Sequence, residues 1–135
     1  MAVDGLVTIR SSYGPEETMN RFEAEVRARG MIAFAHIDYA AGAASVGLSL
    51  RPTDLLIFGS ARGSTPLMEL VQTIGIDLPL KTLVWQDASG TAWLSYTEPK
   101  WLVMRHGLRP DAAANIGMLA VELSQMARSA TEFPC

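Results

Sequence analysis

Hydrophobic and polar positions along this chain switch between two periods, and the switches predict its elements. Residues 5–10 are short and rich in β-branched side chains, the composition of a strand. Ser12-Tyr13-Gly14-Pro15 punctuates it, and Pro15 suits a first helical position, where its missing N–H has no intrahelical partner. Met19, Phe22 and Val26 then recur at helical spacing and mark one buried stripe. Glu17 with Arg21, Glu23 with Arg27 and Glu25 with Arg29 are i,i+4 pairs on the opposite side. Glu16 and Glu17 suit the positive helix start, and Gly30 ends the helix.

Residues 31–39 read as a second strand, which puts Ile32, Phe34, His36 and Asp38 on one face. Residues 40–45 are small and fit a turn or a short helical start. The run Leu55-Leu56-Ile57-Phe58 reads as a central strand covered on both sides, with Pro52 marking an edge, bulge or turn before it. Residues 59–64 read as a loop. Thr65-Pro66 then opens a helix as cap and first position, with Leu67, Leu70 and Val71 at helical spacing. Residues 76–96 form a β-hairpin around Asp87-Ala88-Ser89-Gly90, with Gly90 left-handed and Trp85 and Trp93 as cross-strand packing. A short helix over 99–107 and a long one over 110–131 follow, the latter carrying Ile116, Leu119, Ala120 and Leu123. Gly117 inside it suggests a close backbone approach. The order β-α-β-β-α-β-β-α-α predicts an α+β fold, with a curved antiparallel sheet covered by helices on one face. Residues 5–131 make one domain, with 1–4 and 132–135 as tails.

Composition narrows the function classes. At 135 residues the chain suits one domain, and 49% hydrophobic against 19% charged residues is enough apolar material to drive folding. A formal charge of −3 argues against a nucleic-acid or anionic-membrane surface. One cysteine, Cys135, makes no internal disulfide, and its place on a terminal tail gives a reactive role little support. His36 and His106 alone are thin material for zinc. The N-terminus lacks a basic region followed by an apolar one, and no apolar run approaches the ~20 residues of a membrane helix. A cytoplasmic protein without a metal or other cofactor is the expectation.

Several pieces occur in a telling order. They are His36-Ile37-Asp38-Tyr39-Ala40-Ala41-Gly42-Ala43-Ala44, Leu50-Arg51-Pro52-Thr53-Asp54-Leu55-Leu56-Ile57-Phe58-Gly59 and Thr65-Pro66-Leu67-Met68. Then come Gly75-Ile76-Asp77-Leu78-Pro79-Leu80-Lys81, Trp93-Leu94-Ser95-Tyr96 and Arg105-His106-Gly107. The ordered set, spanning essentially the whole chain, resembles the bacterial and archaeal domain-of-unknown-function family 302. The resemblance implies a TATA-binding-protein-like topology, β-α-β(4)-α, and a homodimer, and it implies no established activity. This chain departs from the family's usual Phe-Gly-Asn-Pro loop at Phe58-Gly59-Ser60-Ala61-Arg62-Gly63-Ser64, and from its shorter, more apolar helix at Glu69-Leu70-Val71-Gln72.

The residues offer modest chemistry. His36 and Asp38, two apart on a strand, spell a general base with an orienting carboxylate, and adding His106 completes the minimal 2-His-1-carboxylate set. The plainer alternative has His36 and Asp38 fixing the 40–44 loop by hydrogen bonds. Residues 59–65 lie between a strand and a helix start, where backbone N–H groups and Arg62 suit an anion. The phosphate loop Gly-x-x-x-x-Gly-Lys-Ser/Thr is absent, as is the Gly-x-Ser-x-Gly nucleophile elbow. Asp77 with Lys81 reads as an ion pair or a proton-transfer pair. The first functional expectation is a module binding a small molecule or anion in a cleft between sheet and helices, lined by His36, Asp38, Arg62, Thr65, Lys81 and Tyr96. The alternatives are a hydrolase or lyase using His36 as base with Asp38, and a structural interaction module.

Overall fold

The computed structural model describes residues 3–109, 111 and 115–134. Five strands, β1 Leu6–Arg10, β2 Ile32–Asp38, β3 Thr53–Gly59, β4 Leu80–Gln86 and β5 Ala92–Thr97, form one sheet in the order β1-β5-β4-β3-β2. Every neighbouring pair is antiparallel. The helices are α1 Pro15–Ala28, α2 Tyr39–Ser45, α3 Ala61–Leu70, α4 Pro99–Arg105 and α5 Ile116–Thr131, with a 3-10 turn at Gln72–Asp77.

The expected α+β architecture is present: helices pack on an open five-stranded antiparallel sheet. Alternation along the strands sends Leu56, Phe58, Leu80, Val84 and Leu94 to the helix-covered side, where all are buried. There they meet Met19, Phe22 and Val26 of α1 and Leu123, Met126 and Ala127 of α5. Phe22 and Phe58 make an edge-to-face contact at 5.3 Å, joining the amphipathic helix to the central strand. The acid–base pairs of α1 all form on its outer side.

Several expectations change in detail. Residues 40–45 are helical, and Asp38 Oδ1 caps that helix by accepting from the Ala41 N–H at 2.9 Å. Helix α3 starts before Thr65, because the Ser60 hydroxyl accepts from the Gly63 N–H and caps it there, leaving Pro66 inside the helix. The long last helix runs from Ile116 to Thr131. The expected start at Pro110 lies outside the described residues, as does Cys135. A side chain added at Gly117 would meet open space, so no close approach requires that glycine. The hairpin forms with its turn at Asp87, Gly90 at φ +89°, and the Trp85 and Trp93 rings stacked 6.0 Å apart.

The largest correction concerns which faces are covered. Leu55 and Ile57 are only half-buried, so β3 is central but covered on one side. On the opposite, open face the register lines up Ile37, Leu55, Leu83, Ser95 and Thr8, one residue from each strand. Ile57 and Lys81 flank this middle row on one side, and Trp85, Trp93 and Arg10 on the other.

Candidate functional site

A β-bulge decides the placement of β2's side chains. Ala33 stands opposite Phe58 and Ala35 opposite Ile57, leaving Phe34 out of register. Ile32, opposite Gly59, therefore does not share a face with His36 and Asp38 as unbroken alternation would require. The displaced Phe34 ring becomes one wall of an apolar cavity of about 290 Å³. Met31 lies beside it, and Gly59, Ser60, Ala61, Gly63 and Ser64 supply the wall where β3 enters α3. Leu67 and Met68 of α3, Leu119 of α5, and Gly75, Leu78, Pro79 and Leu80 close the remaining sides. The lining holds no charged side chain. Its two serines are already engaged, Ser60 with the Gly63 N–H and Ser64 with the Ser60 carbonyl.

On the other side of residues 75–80 lies a smaller, more polar cleft of about 200 Å³, lined by Asp77, Leu80, Lys81, Tyr96, Thr97, Leu102 and Leu123. Leu80 borders both spaces. The 3-10 turn and the start of β4 thus form a partition, and a polar cluster fixes it. Arg105 Nη1 donates to both Asp77 carboxylate oxygens, at 2.5 and 2.6 Å. His106 Nε2 lies 2.5 Å from Asp77 Oδ2, and His106 Nδ1 lies 2.9 Å from Thr73 Oγ1. Burial by itself would raise the Asp77 carboxyl. The His106 hydrogen bond and the Arg105 charge outweigh it and hold the group below its ordinary value. A hydroxyl–imidazole–carboxylate chain has the order of a nucleophile, a base and its orienting acid. Here, however, the Arg105 guanidinium engages both carboxylate oxygens, and the cluster ties the 3-10 turn to the C-terminal end of α4.

The residues expected to line one cleft are dispersed. His36 stands opposite buried Leu56 near the sheet edge, with its side chain 44% exposed. Its Nε2 lies 3.2 Å from Asp54 Oδ1. Asp54, not Asp38, is its carboxylate partner, because Asp38 caps α2. His36 and Asp38 thus make no base-and-orienter contact with each other, and Asp38 is engaged by the Ala41 N–H. Arg62 and Thr65 are exposed on α3 and are not part of the apolar lining. Lys81 and Tyr96 do border one space, the polar cleft. Lys81 Nζ donates to the Pro79 carbonyl, while Asp77 takes Arg105 and His106 instead of Lys81. Burial raises the Tyr96 phenol, with Glu98 adding to the effect. Among the described residues no three His, Cys, Asp or Glu side chains gather where they would hold a metal ion, so His36, Asp38 and His106 form no triad.

Sequence reasoning missed the Thr73, Asp77, Arg105 and His106 cluster, although Asp77 and Arg105-His106 lie in the quoted pieces. It also missed the apolar cavity, because its walls come from four separate stretches of chain and its Phe34 wall depends on a bulge.

Comparisons with known proteins agree with this architecture. A crystal structure of an uncharacterized conserved protein DUF302 from Bacillus stearothermophilus superposes with a TM-score of 0.83 over 95% of this chain and 99% of that one, at 19% identity. That likeness concerns the fold. The fluoride-specific ion channel FluC 1 of Brucella suis biovar 1 (strain 1330) is 45% identical over 111 residues, 81% of this chain and 44% of that protein. FluC 1 of Brucella abortus biovar 1 (strain 9-941) matches equally over 41% of its length. The chain thus spans less than half of these relatives. The family model described as "Domain of unknown function DUF302" matches residues 7–127, and the chain belongs to that family.

Proposed function

We propose that this chain is a binding module for a small, uncharged and largely apolar molecule, held in the 290 Å³ cavity beside Phe34, Met68 and Leu119. One observation carries this reading: the cavity's lining is apolar, holds no charged side chain, and each of its two serine hydroxyls makes a hydrogen bond within the protein. An anion entering it would exchange water for a wall without a cation, at a cost of several kcal/mol. An apolar molecule gives up little water structure and gains contact with Met31 and Met68, whose flexible thioethers adapt to varied shapes. This narrows the sequence expectation of a small molecule or anion to its apolar half.

The Brucella relatives bear on the setting in which such a module works. A channel must satisfy its backbone within lipid by spanning helices or a closed barrel. Among the described residues no helix is long and apolar enough to cross a membrane, and the sheet is open. We infer that the matched segment of those longer proteins is a domain attached to their conducting part, and that this chain is a domain of the same kind.

Thermal unfolding with benzene, indole, 1-octanol or sodium fluoride tests the binding reading. At a concentration about 100 times Kd, an apolar probe stabilises by ~2.7 kcal/mol, a rise of a few degrees in Tm. Ala61→Phe, which fills the cavity, removes that rise. Fluoride leaves Tm unchanged relative to chloride. A fluoride-specific shift with no response to any apolar probe overturns the reading.

A further inference from the structure

The hydroxyl–imidazole–carboxylate chain at the 3-10 turn has one member that the tie to α4 does not need. The tie is made on Asp77, by Arg105 and His106. Thr73 lies outside it, at an exposed position where water can serve its hydroxyl. Even so, Thr73 Oγ1 sits 2.9 Å from His106 Nδ1.

The protons along this chain are ordered from its inner end. An ionised carboxylate only accepts, so the hydrogen of the 2.5 Å contact belongs to His106 Nε2. The neutral ring then keeps its lone pair on Nδ1, and the Thr73 hydroxyl donates to it. That is the tautomer a base needs in order to take a proton from a hydroxyl. Arg105 fixes the carboxylate by engaging both of its oxygens. Its charge also offsets part of the carboxylate's pull on an imidazolium, which makes His106 a modest base.

Burial is graded in the same order. The Asp77 and His106 side chains are 18% and 10% exposed, whereas Thr73 reaches solvent. The hydroxyl is therefore open to a substrate while its base is shielded. Leu70, Ile76 and Met104 are exposed too, and each lies within three residues of a member of the cluster. One exposed apolar side chain is ordinary. Three on the segments that carry or adjoin this hydroxyl and its partners suit an apolar acyl group.

The geometry points to a hydrolytic site for carboxylic esters with a short apolar acyl group, with Thr73 as nucleophile, His106 as general base and Asp77 as the positioning residue. Thr73 Oγ1 bonds to the acyl carbon as its proton passes to His106 Nδ1. The ester C–O bond breaks, and the departing alkoxide takes that proton and leaves as the alcohol. A water molecule, deprotonated by the same nitrogen, then attacks the Thr73 ester. The acid departs, and the proton returns to the Thr73 oxygen. Neither Thr73 nor His106 lines the apolar cavity, so this inference stands independently of the cavity reading.

Hydrolysis of p-nitrophenyl butyrate by the full chain, with mass spectrometry of acid-quenched protein, reads the result. The wild type releases p-nitrophenol faster than buffer and carries a butyryl group, which fragmentation places on Thr73. Thr73→Ala lowers the rate about a hundredfold with an unchanged circular dichroism spectrum. Should that variant fail to fold, Thr73→Val, which keeps the β-branched shape, is measured in its place. Thr73→Ser retains hydrolysis, and His36→Ala, remote from the cluster, leaves the rate unchanged. A wild type no faster than buffer overturns the inference. So does a Thr73→Ala or Thr73→Val protein with the wild-type rate, a Thr73→Ser protein as slow as Thr73→Ala, or a butyryl group found on another residue.

Discussion

His106 Nε2 lies 2.5 Å from Asp77 Oδ2, across 29 residues of sequence. This contact, with the Arg105 fork on the same carboxylate, holds the partition between the apolar cavity and the polar cleft. The 3-10 turn buries only Ile74, and Ile76 is 77% exposed. Side chains outside the cavity thus determine the cavity's shape.

Asp77→Ala is expected to lower stability by ~1–3 kcal/mol, because it strands the His106 donor, whose side chain is 10% exposed. Arg105 is half-exposed and loses little in water. The same variant loosens Gly75 and Leu78 and weakens apolar-probe binding. Urea unfolding and probe titration check both effects. A variant with wild-type stability would show that the cluster does not hold the wall.

Acid sensitivity follows from the same carboxylate. The Asp77 carboxyl titrates lower in the folded chain than in the unfolded one. Its stabilisation is thus fully present above about pH 4, near the ordinary carboxylate value, and is lost as pH falls through the folded value. Asp87, whose carboxylate accepts from the Trp93 indole and from Ser89, is lowered as well and adds to the same slope. Unfolding curves between pH 6 and pH 2 should therefore show declining stability, and Asp77→Asn should flatten that decline without abolishing it. An Asp77→Asn protein with the full wild-type slope would contradict the assignment.

A different prediction concerns the core. The Thr82 hydroxyl is buried on β4 and finds no hydrogen-bond partner among the described residues. Valine keeps the β-branched shape and removes the desolvation cost of that hydroxyl. Thr82→Val should raise stability by ~1 kcal/mol, read as a higher urea midpoint at constant m-value. A loss of stability would mean that the hydroxyl has a partner.

The sequence was readable where the physics is local. The α1 stripe of Met19, Phe22 and Val26 and the hairpin around Gly90 each depend on residues close in the chain, and both stand as expected. It was less readable where a single residue changes the register. One bulge at Phe34 separates Ile32 from His36, and no nearby glycine or proline announces it. The Ser60 cap of α3 is masked in the sequence because Thr65-Pro66 has the stronger pattern, whereas the fold brings the Gly63 N–H within reach of the Ser60 hydroxyl. The apolar run 55–58 has the pattern of a strand covered on both sides, and the single chain covers only one. The cluster joining Thr73 and Asp77 to Arg105 and His106 is assembled by folding alone. Nothing in the spacing of those residues signals it.

Methionine-methyl NMR tests the central claim most directly, because the methionines sample the molecule. Met31 and Met68 line the cavity, Met104 and Met118 are exposed elsewhere, and Met19 and Met126 are buried in the core. Titration with indole should move the Met31 and Met68 methyl signals together and saturably, leave the other four in place, and lose both responses in Ala61→Phe. Indole shifts confined to Met104 and Met118, or no saturable shift at Met31 and Met68, would contradict a binding cavity at this site.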